Sequence, residues 1–171
     1  MASTEFLSFV PIFSDLPTET LEKIEKIGSR RNYKKNDVIL MEEESGTALF
    51  VIVSGKVKVA RSSSDGREVI LSILSEGDFF GEMAILDGLT RSATVAAIEE
   101  SELFLLQRND FMNLLHEYPE ISVALLQEMT KRLRSADMKI KALSLKDAEG
   151  KVATVILQLA DDIGKIKQGK V

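Results

Sequence analysis

Val57-Lys58-Val59-Ala60-Arg61-Ser62-Ser63-Ser64-Asp65-Gly66-Arg67-Glu68-Val69-Ile70-Leu71-Ser72-Ile73-Leu74 sets the architecture of this chain. Val57-Lys58-Val59 alternates apolar with polar, Val69 to Leu74 is a short apolar run, and Asp65-Gly66 between them is a hairpin signal. Glycine accepts the positive φ that such turns require. Working outward, Val38-Ile39-Leu40, Leu49 to Val53, Ala93 to Ile98 and Leu103 to Leu106 read as further strands. Ser45-Gly46, Ser54-Gly55, Glu76-Gly77-Asp78 and Asp87-Gly88 punctuate them. Short strands at even spacing from about Arg30 to Gln107 predict a Greek-key barrel or jelly roll.

Both flanks are helical. On the N-terminal side, Met1 to Ile27, a helix starts near Leu16-Pro17-Thr18 and carries Leu21, Ile24 and Ile27 on one face, with Ser14 or Asp15 as alternative caps. On the C-terminal side, Asn109 or Asp110 opens a short helix with Phe111, Leu114 and Leu115, and Pro119 opens the next. In that next helix Leu126, Met129, Leu133, Ala136, Ile140 and Leu143 follow one another at intervals of three, four, three, four and three. That is a heptad seam on a helix of about 25 residues, or ~38 Å. Ile121 and Leu125 offer a second face for packing on the barrel, which leaves the seam for a parallel homodimer; packing of the whole stripe within the chain is the alternative. Lys146 to Gly150 reads as a hinge, and Val152, Val155, Ile156, Leu159 and Ile163 line one face of a further helix.

Composition narrows the function. The 171 residues are 44% hydrophobic and 29% charged, which suits an ordinary globular core and not a disordered chain. There is no cysteine, so disulfides, thiolate metal sites, iron–sulfur clusters and cysteine nucleophiles are excluded. The single histidine, His116, leaves a His-based triad or multi-His metal site without material, and it reads as a packing or surface residue. A net charge of −5 disfavours nucleic-acid binding by this segment as a whole. No run approaches the ~18 apolar residues of a membrane span, and the N-terminus lacks a signal-peptide pattern, so the expected location is cytoplasmic.

Gly77 to Val95 interrupts the strands with chemistry-bearing residues. Glu82 to Leu86 is long enough for about one helical turn, whose unpaired N–H groups favour an anion. Gly81 permits close approach of a ligand to the backbone. Arg91, after the Gly88 turn, carries a planar fork that matches a phosphate, and Glu82 offers acceptors for a sugar hydroxyl. Two readings stand side by side: a site for a phosphorylated sugar, or a surface ion pair between Glu82 and Arg91 beside a loop. The segment offers no metal ligands and no general base beside the anion, so no enzymatic role is expected.

Order and spacing separate the readings. Phe80-Gly81-Glu82-Met83-Ala84-Ile85-Leu86 and Arg91-Ser92-Ala93-Thr94-Val95 resemble the phosphate-binding cassette of cyclic-nucleotide-binding domains, with F-G-E-[LM]-A-[LI]-L and R-[SAT]-A-T-V both matched. Lys131-Arg132-Leu133 and Asp147-x-x-Gly150-Lys151-Val152-Ala153 are similar to bacterial transcription regulators of the Crp/Fnr superfamily. The resemblance implies an α+β chain: a double-stranded β-helix (jelly roll) over residues 1–118 with its N-terminal helix, a long C-terminal dimerisation helix over 119–145, and over 146–171 a hinge with the first part of a truncated DNA-binding domain. It implies that Glu82 takes the ribose 2′-hydroxyl and that Arg91 and Ser92 hold the cyclic phosphate with the N–H groups of Met83 and Ala84. Val59 and Leu71 would wall the base, and Arg132 would pair with Glu82. The implied ligand is cAMP, with cGMP as the alternative; the other readings are a constitutive or differently liganded dimerisation domain of the same type, or a cyclic-nucleotide regulatory module of an enzyme or channel. The implied partners are a second copy through 119–145 and DNA through a helix-turn-helix not present in this chain. One departure bears on ligand choice. Ala136 and Asp137 stand where the cyclic-AMP receptor proteins usually carry the Thr-Ser pair that reads adenine, so Asp137 is either a base-reading acceptor or a solvated charge.

Overall fold

A computed structural model describes residues 4–63, 65–145 and 156–157. Two helices, α1 (Glu5–Ser8) and α2 (Thr18–Ile27), precede the strands β1 (Ser29–Tyr33), β2 (Val38–Leu40), β3 (Ala48–Ser54), β4 (Lys56–Ser62), β5 (Glu68–Ser75) and β6 (Phe79–Phe80). Then come α3 (Glu82–Asp87), β7 (Thr94–Ala97), β8 (Ser101–Gln107), α4 (Arg108–Glu117) and α5 (Pro119–Leu145). The chain divides into two compact units, Met1–Ala124 and Leu125–Val171.

The first unit is a jelly roll. Its strands form two antiparallel four-stranded sheets, in the orders β1-β8-β3-β6 and β2-β7-β4-β5. Phe50, Ile52, Phe80, Leu103 and Leu105 of the first sheet join Val57 and Val95 of the second in one buried cluster. The alternate residues of β3 and β8, Leu49, Val51, Phe104 and Leu106, are buried as well. These point to the opposite face of the sheet, where Phe6 of α1 meets the Phe104 ring edge-on at 5.3 Å. A strand buried on both faces shows a continuous apolar run rather than alternation, which is why Leu49 to Val53 lacks a period.

The Asp65-Gly66 hairpin joins β4 to β5. Gly66 sits at φ +81°, and Ser63 donates its N–H to the Arg67 carbonyl at 2.8 Å. The β4–β5 register pairs Val59 with Ser72 but Ala60 with Ile70, so Leu71 is an extra, bulged residue. A bulge bends its strand and re-aims the local side chains.

Several local expectations need correction. Ile27 is exposed, and the buried face of α2 is Thr20, Leu21 and Ile24. Pro17 holds the N-cap position, not Ser14 or Asp15; its fixed φ suits a helix entry. Strands β1 and β6 were not foreseen, and α1 was expected only as part of a helical N-terminal flank. Ser-Arg-Arg-Asn-Tyr of β1 is polar and mostly exposed, and pairing with β8 along an edge defines it. There Arg30 donates to Glu25 and Glu102, each at 3.1 Å, and stacks 4.7 Å from the Phe6 centroid.

In the second unit, α5 from Leu125 onward carries the heptad seam. Leu126, Leu133 and Ile140 are 67%, 63% and 61% exposed. The expected hinge at 146–150 and the helix after it lie outside the described residues, apart from 156–157. Among the described residues no helix is long and apolar enough to cross a membrane.

Candidate functional site

The site is built where β6 ends. Gly81 follows Phe80 at φ +87°, a left-handed conformation that disfavours side chains, and turns the chain into the six-residue α3. Ten residues after Gly81 the chain returns with Arg91, which is only 5% exposed. Arg91 Nη1 donates to the Gly81 carbonyl at 2.7 Å and Nη2 to the Ala48 carbonyl at 2.9 Å. The guanidinium thus bridges the start of α3 to the start of β3. Glu82, in the first turn of α3, is 3% exposed, and a carboxylate there also suits the positive end of a helix.

Burial pushes the Arg91 guanidinium below its ordinary pKa, and the negative charge of Glu82 opposes that shift. Burial penalises the charged form, so this cost is present at every pH below the depressed pKa and is relieved only above it. A bound anion would relieve it at neutral pH. Arg91 Nε is buried and hydrogen-bonded to nothing among the described residues. A buried cation with a spare donor and an acid beside it fits an anionic ligand that also carries hydroxyls. A surface ion pair, the alternative reading of the sequence, is excluded by the burial of both partners.

A third wall of the site comes from residues 42–47. Arg91 N–H donates to the Glu44 carbonyl at 2.8 Å, and Glu43 N–H to the Arg91 carbonyl at 2.9 Å. Ser45 bridges Thr90, and Glu42 N–H reaches Thr94 Oγ1 at 3.1 Å. Gly46 is pressed against the site: a Cβ there would lie 2.4 Å from Ala84 Cβ and 3.0 Å from Arg91 Cζ. Sequence reasoning assigned Gly46 only to a turn and missed Ala48. A glycine in a polar loop signals a turn locally, and nothing nearby in sequence reveals a contact with residues about forty positions on.

The expected site residues fall into two groups. Gly81, Glu82, Met83, Ala84, Arg91 and Ser92 come together, and Ser92 Oγ donates to Met83 Sδ at 3.6 Å on the exposed rim. Val59 pairs with Val95, the last residue of the cassette, and Leu71 is the bulged residue of the adjoining strand. Arg132 and Asp137 lie on α5 in the second unit, with Asp137 exposed and Arg132 half-buried. His116 is exposed on α4, and among the described residues no group of His, Asp and Glu is placed to hold a metal ion.

Eight strands in a jelly roll among the described residues, with Arg91 and Glu82 both buried at the short helix between β6 and β7, are the arrangement expected of a cyclic-nucleotide-binding domain. The comparisons agree: residues 30–118 match the cyclic nucleotide-binding domain family. Over 149 residues the chain is 35% identical to the cyclic AMP receptor protein of Thermus thermophilus, covering 87% of this chain and 69% of that protein. It is 32% identical over 165 residues to the CRP-like cAMP-activated global transcriptional regulator of Mycobacterium tuberculosis, covering 96% and 74%. The crystal structure of the Thermus thermophilus catabolite activator protein superposes with a TM-score of 0.72 at 35% identity, covering 78% of this chain and 63% of that one. The chain belongs to the cyclic nucleotide-binding family of CRP-like, Crp/Fnr-type transcription regulators. It groups with regulators and not with enzymes.

Proposed function

We propose that this chain is the ligand-sensing and dimerisation part of a cytoplasmic transcription regulator that binds a cyclic nucleotide, cAMP before cGMP, and thereby controls DNA binding. The observation that carries the reading is the buried Arg91, with its spare Nε and its neighbour Glu82, at the short helix α3 of a jelly roll. The names of two relatives, a cyclic AMP receptor protein and a cAMP-activated regulator, favour cAMP.

In this reading Arg91 and Ser92 hold the cyclic phosphate, helped by the N–H groups of Met83 and Ala84, and Gly81 lets the ligand approach. A cyclic phosphate carries a single negative charge, which one arginine can balance. Glu82 accepts from the ribose 2′-hydroxyl, while Val59 and Leu71 cover the base. Residues 1–118 form the sensor, 119–145 the dimer helix with Arg132 and Asp137, and 146–171 the hinge with the first part of a DNA-binding domain. The ligand works as a switch only by binding one arrangement of these parts better than another.

Calorimetric titration of the chain with cAMP and with cGMP, using Arg91→Glu as control, tests the reading. The parent chain should bind cAMP, and the variant, checked for folding by its thermal melt, should lose at least a hundredfold in affinity. Preference for cGMP would assign base selection to Asp137. Binding of neither nucleotide by the folded parent would overturn the sensor.

A further inference from the structure

Helix α3 is six residues long and is flanked by glycines at φ +87° and +73°. So short a helix has little stability of its own, and its position must come from contacts outside it. One comes from the first residue of α4, which also bonds the 42–47 segment. Arg108 donates its backbone N–H to the Thr47 carbonyl at 2.8 Å, and its Nη1 reaches the Ala84 carbonyl in α3 at 3.2 Å. The N–H is among those that a helix start leaves unpaired, and the carbonyl is among the last four of α3, which lack partners within the helix. A cation at that end also complements the helix dipole.

These two bonds meet at the anion site from both sides. Thr47 follows Gly46, which lies against Ala84 and Arg91, and Ala48 accepts from Arg91. Ala84 sits in the helix whose preceding glycine accepts the other Arg91 bond. We infer that Arg108 is a positioning residue for nucleotide binding: it touches no part of the ligand, and it fixes α3 against the 42–47 segment so that Arg91, Glu82 and the α3 backbone are in place beforehand. Preorganisation of this kind raises affinity by removing an ordering cost. The inference rests on the nucleotide-binding reading above.

The test compares the parent chain with Arg108→Met and Arg108→Lys in two measurements, cAMP titration calorimetry and amide hydrogen exchange of the free protein. Arg108→Met should weaken cAMP binding about tenfold, as expected for one charge-assisted hydrogen bond. Exchange should quicken in residues 82–87 and stay unchanged in β3 and β8. Arg108→Lys, which retains a charged donor for a single carbonyl, should stay within about threefold of the parent. Parent-like affinity in Arg108→Met would overturn the inference. So would unchanged exchange in α3, or exchange quickened equally in β3 and β8, which would mark Arg108 as a general structural residue. Were the parent to bind no nucleotide, the functional reading would fail by itself, and the exchange result would still decide whether Arg108 holds α3.

Discussion

Gly46 and Arg91 are far apart in sequence and pack together at the site. A methyl group at position 46 would overlap Ala84 and crowd the guanidinium, so Gly46→Ala must displace α3, Arg91 or the loop itself. Overpacking of this kind costs about 1–3 kcal/mol. The expected result is a lowered melting temperature together with at least a tenfold loss of cAMP affinity, because Arg91 holds both the Gly81 and Ala48 carbonyls and cannot shift without breaking one. A folded Gly46→Ala chain with parent affinity in calorimetry would show that Arg91 is placed independently of the 42–47 segment. Arg91 and Glu82 were legible as a candidate pair from their residue types and from the cassette that the segment resembles; their burial together is what the structure adds. Gly46, Ala48 and Arg108 were not legible, since each acts through a contact that only the closed barrel creates.

Among the elements, the β4–β5 hairpin was readable in its turn and in its apolar segments, Val57 to Val59 and Val69 to Leu74, while the polar stretch Arg61-Ser62 that completes β4 carried no signal. The bulge at Leu71 was not readable; it depends on how Ala60 and Ile70 pair across the strands. Polar β1 was equally silent, for an edge strand defined by backbone pairing leaves no apolar period. The hairpin carries its own pH signature. The Asp65 carboxyl is held below its ordinary value of 3.8, first by a hydrogen bond from the Ser63 side chain and then by bonds from the Arg67 backbone and side chain. A carboxylate with a depressed folded pKa contributes stability above its unfolded pKa, and that contribution is lost as pH falls through the folded value. The Asp65 carboxyl resonance should therefore titrate with a midpoint below 3.8, and acid should quicken amide exchange at Arg67 in the parent more than in Asp65→Asn. A midpoint at or above the ordinary value would remove the proposed hold on the turn.

At the scale of the whole molecule, the exposed seam of α5 bears on how a sensor could become a switch. Leu126, Leu133 and Ile140 recur at heptad spacing and lie open to solvent; burying a leucine against a partner contributes roughly 1.5–3 kcal/mol. The proposed dimer uses this face, so Leu133→Lys should shift the chain towards monomer in sedimentation velocity. If cAMP and the dimer prefer the same arrangement, then by linkage the factor by which cAMP tightens dimerisation equals the factor by which dimerisation tightens cAMP binding. Both factors are measurable: dimer dissociation constants of the parent with and without cAMP give the first, and cAMP affinities of the parent dimer and the Leu133→Lys monomer give the second. They should agree, and both should exceed one. A monomer that binds cAMP as tightly as the dimer would leave pocket and seam as independent sites, since a ligand of equal affinity for two states shifts neither. The allosteric part of the proposal would then fail while the nucleotide site stood.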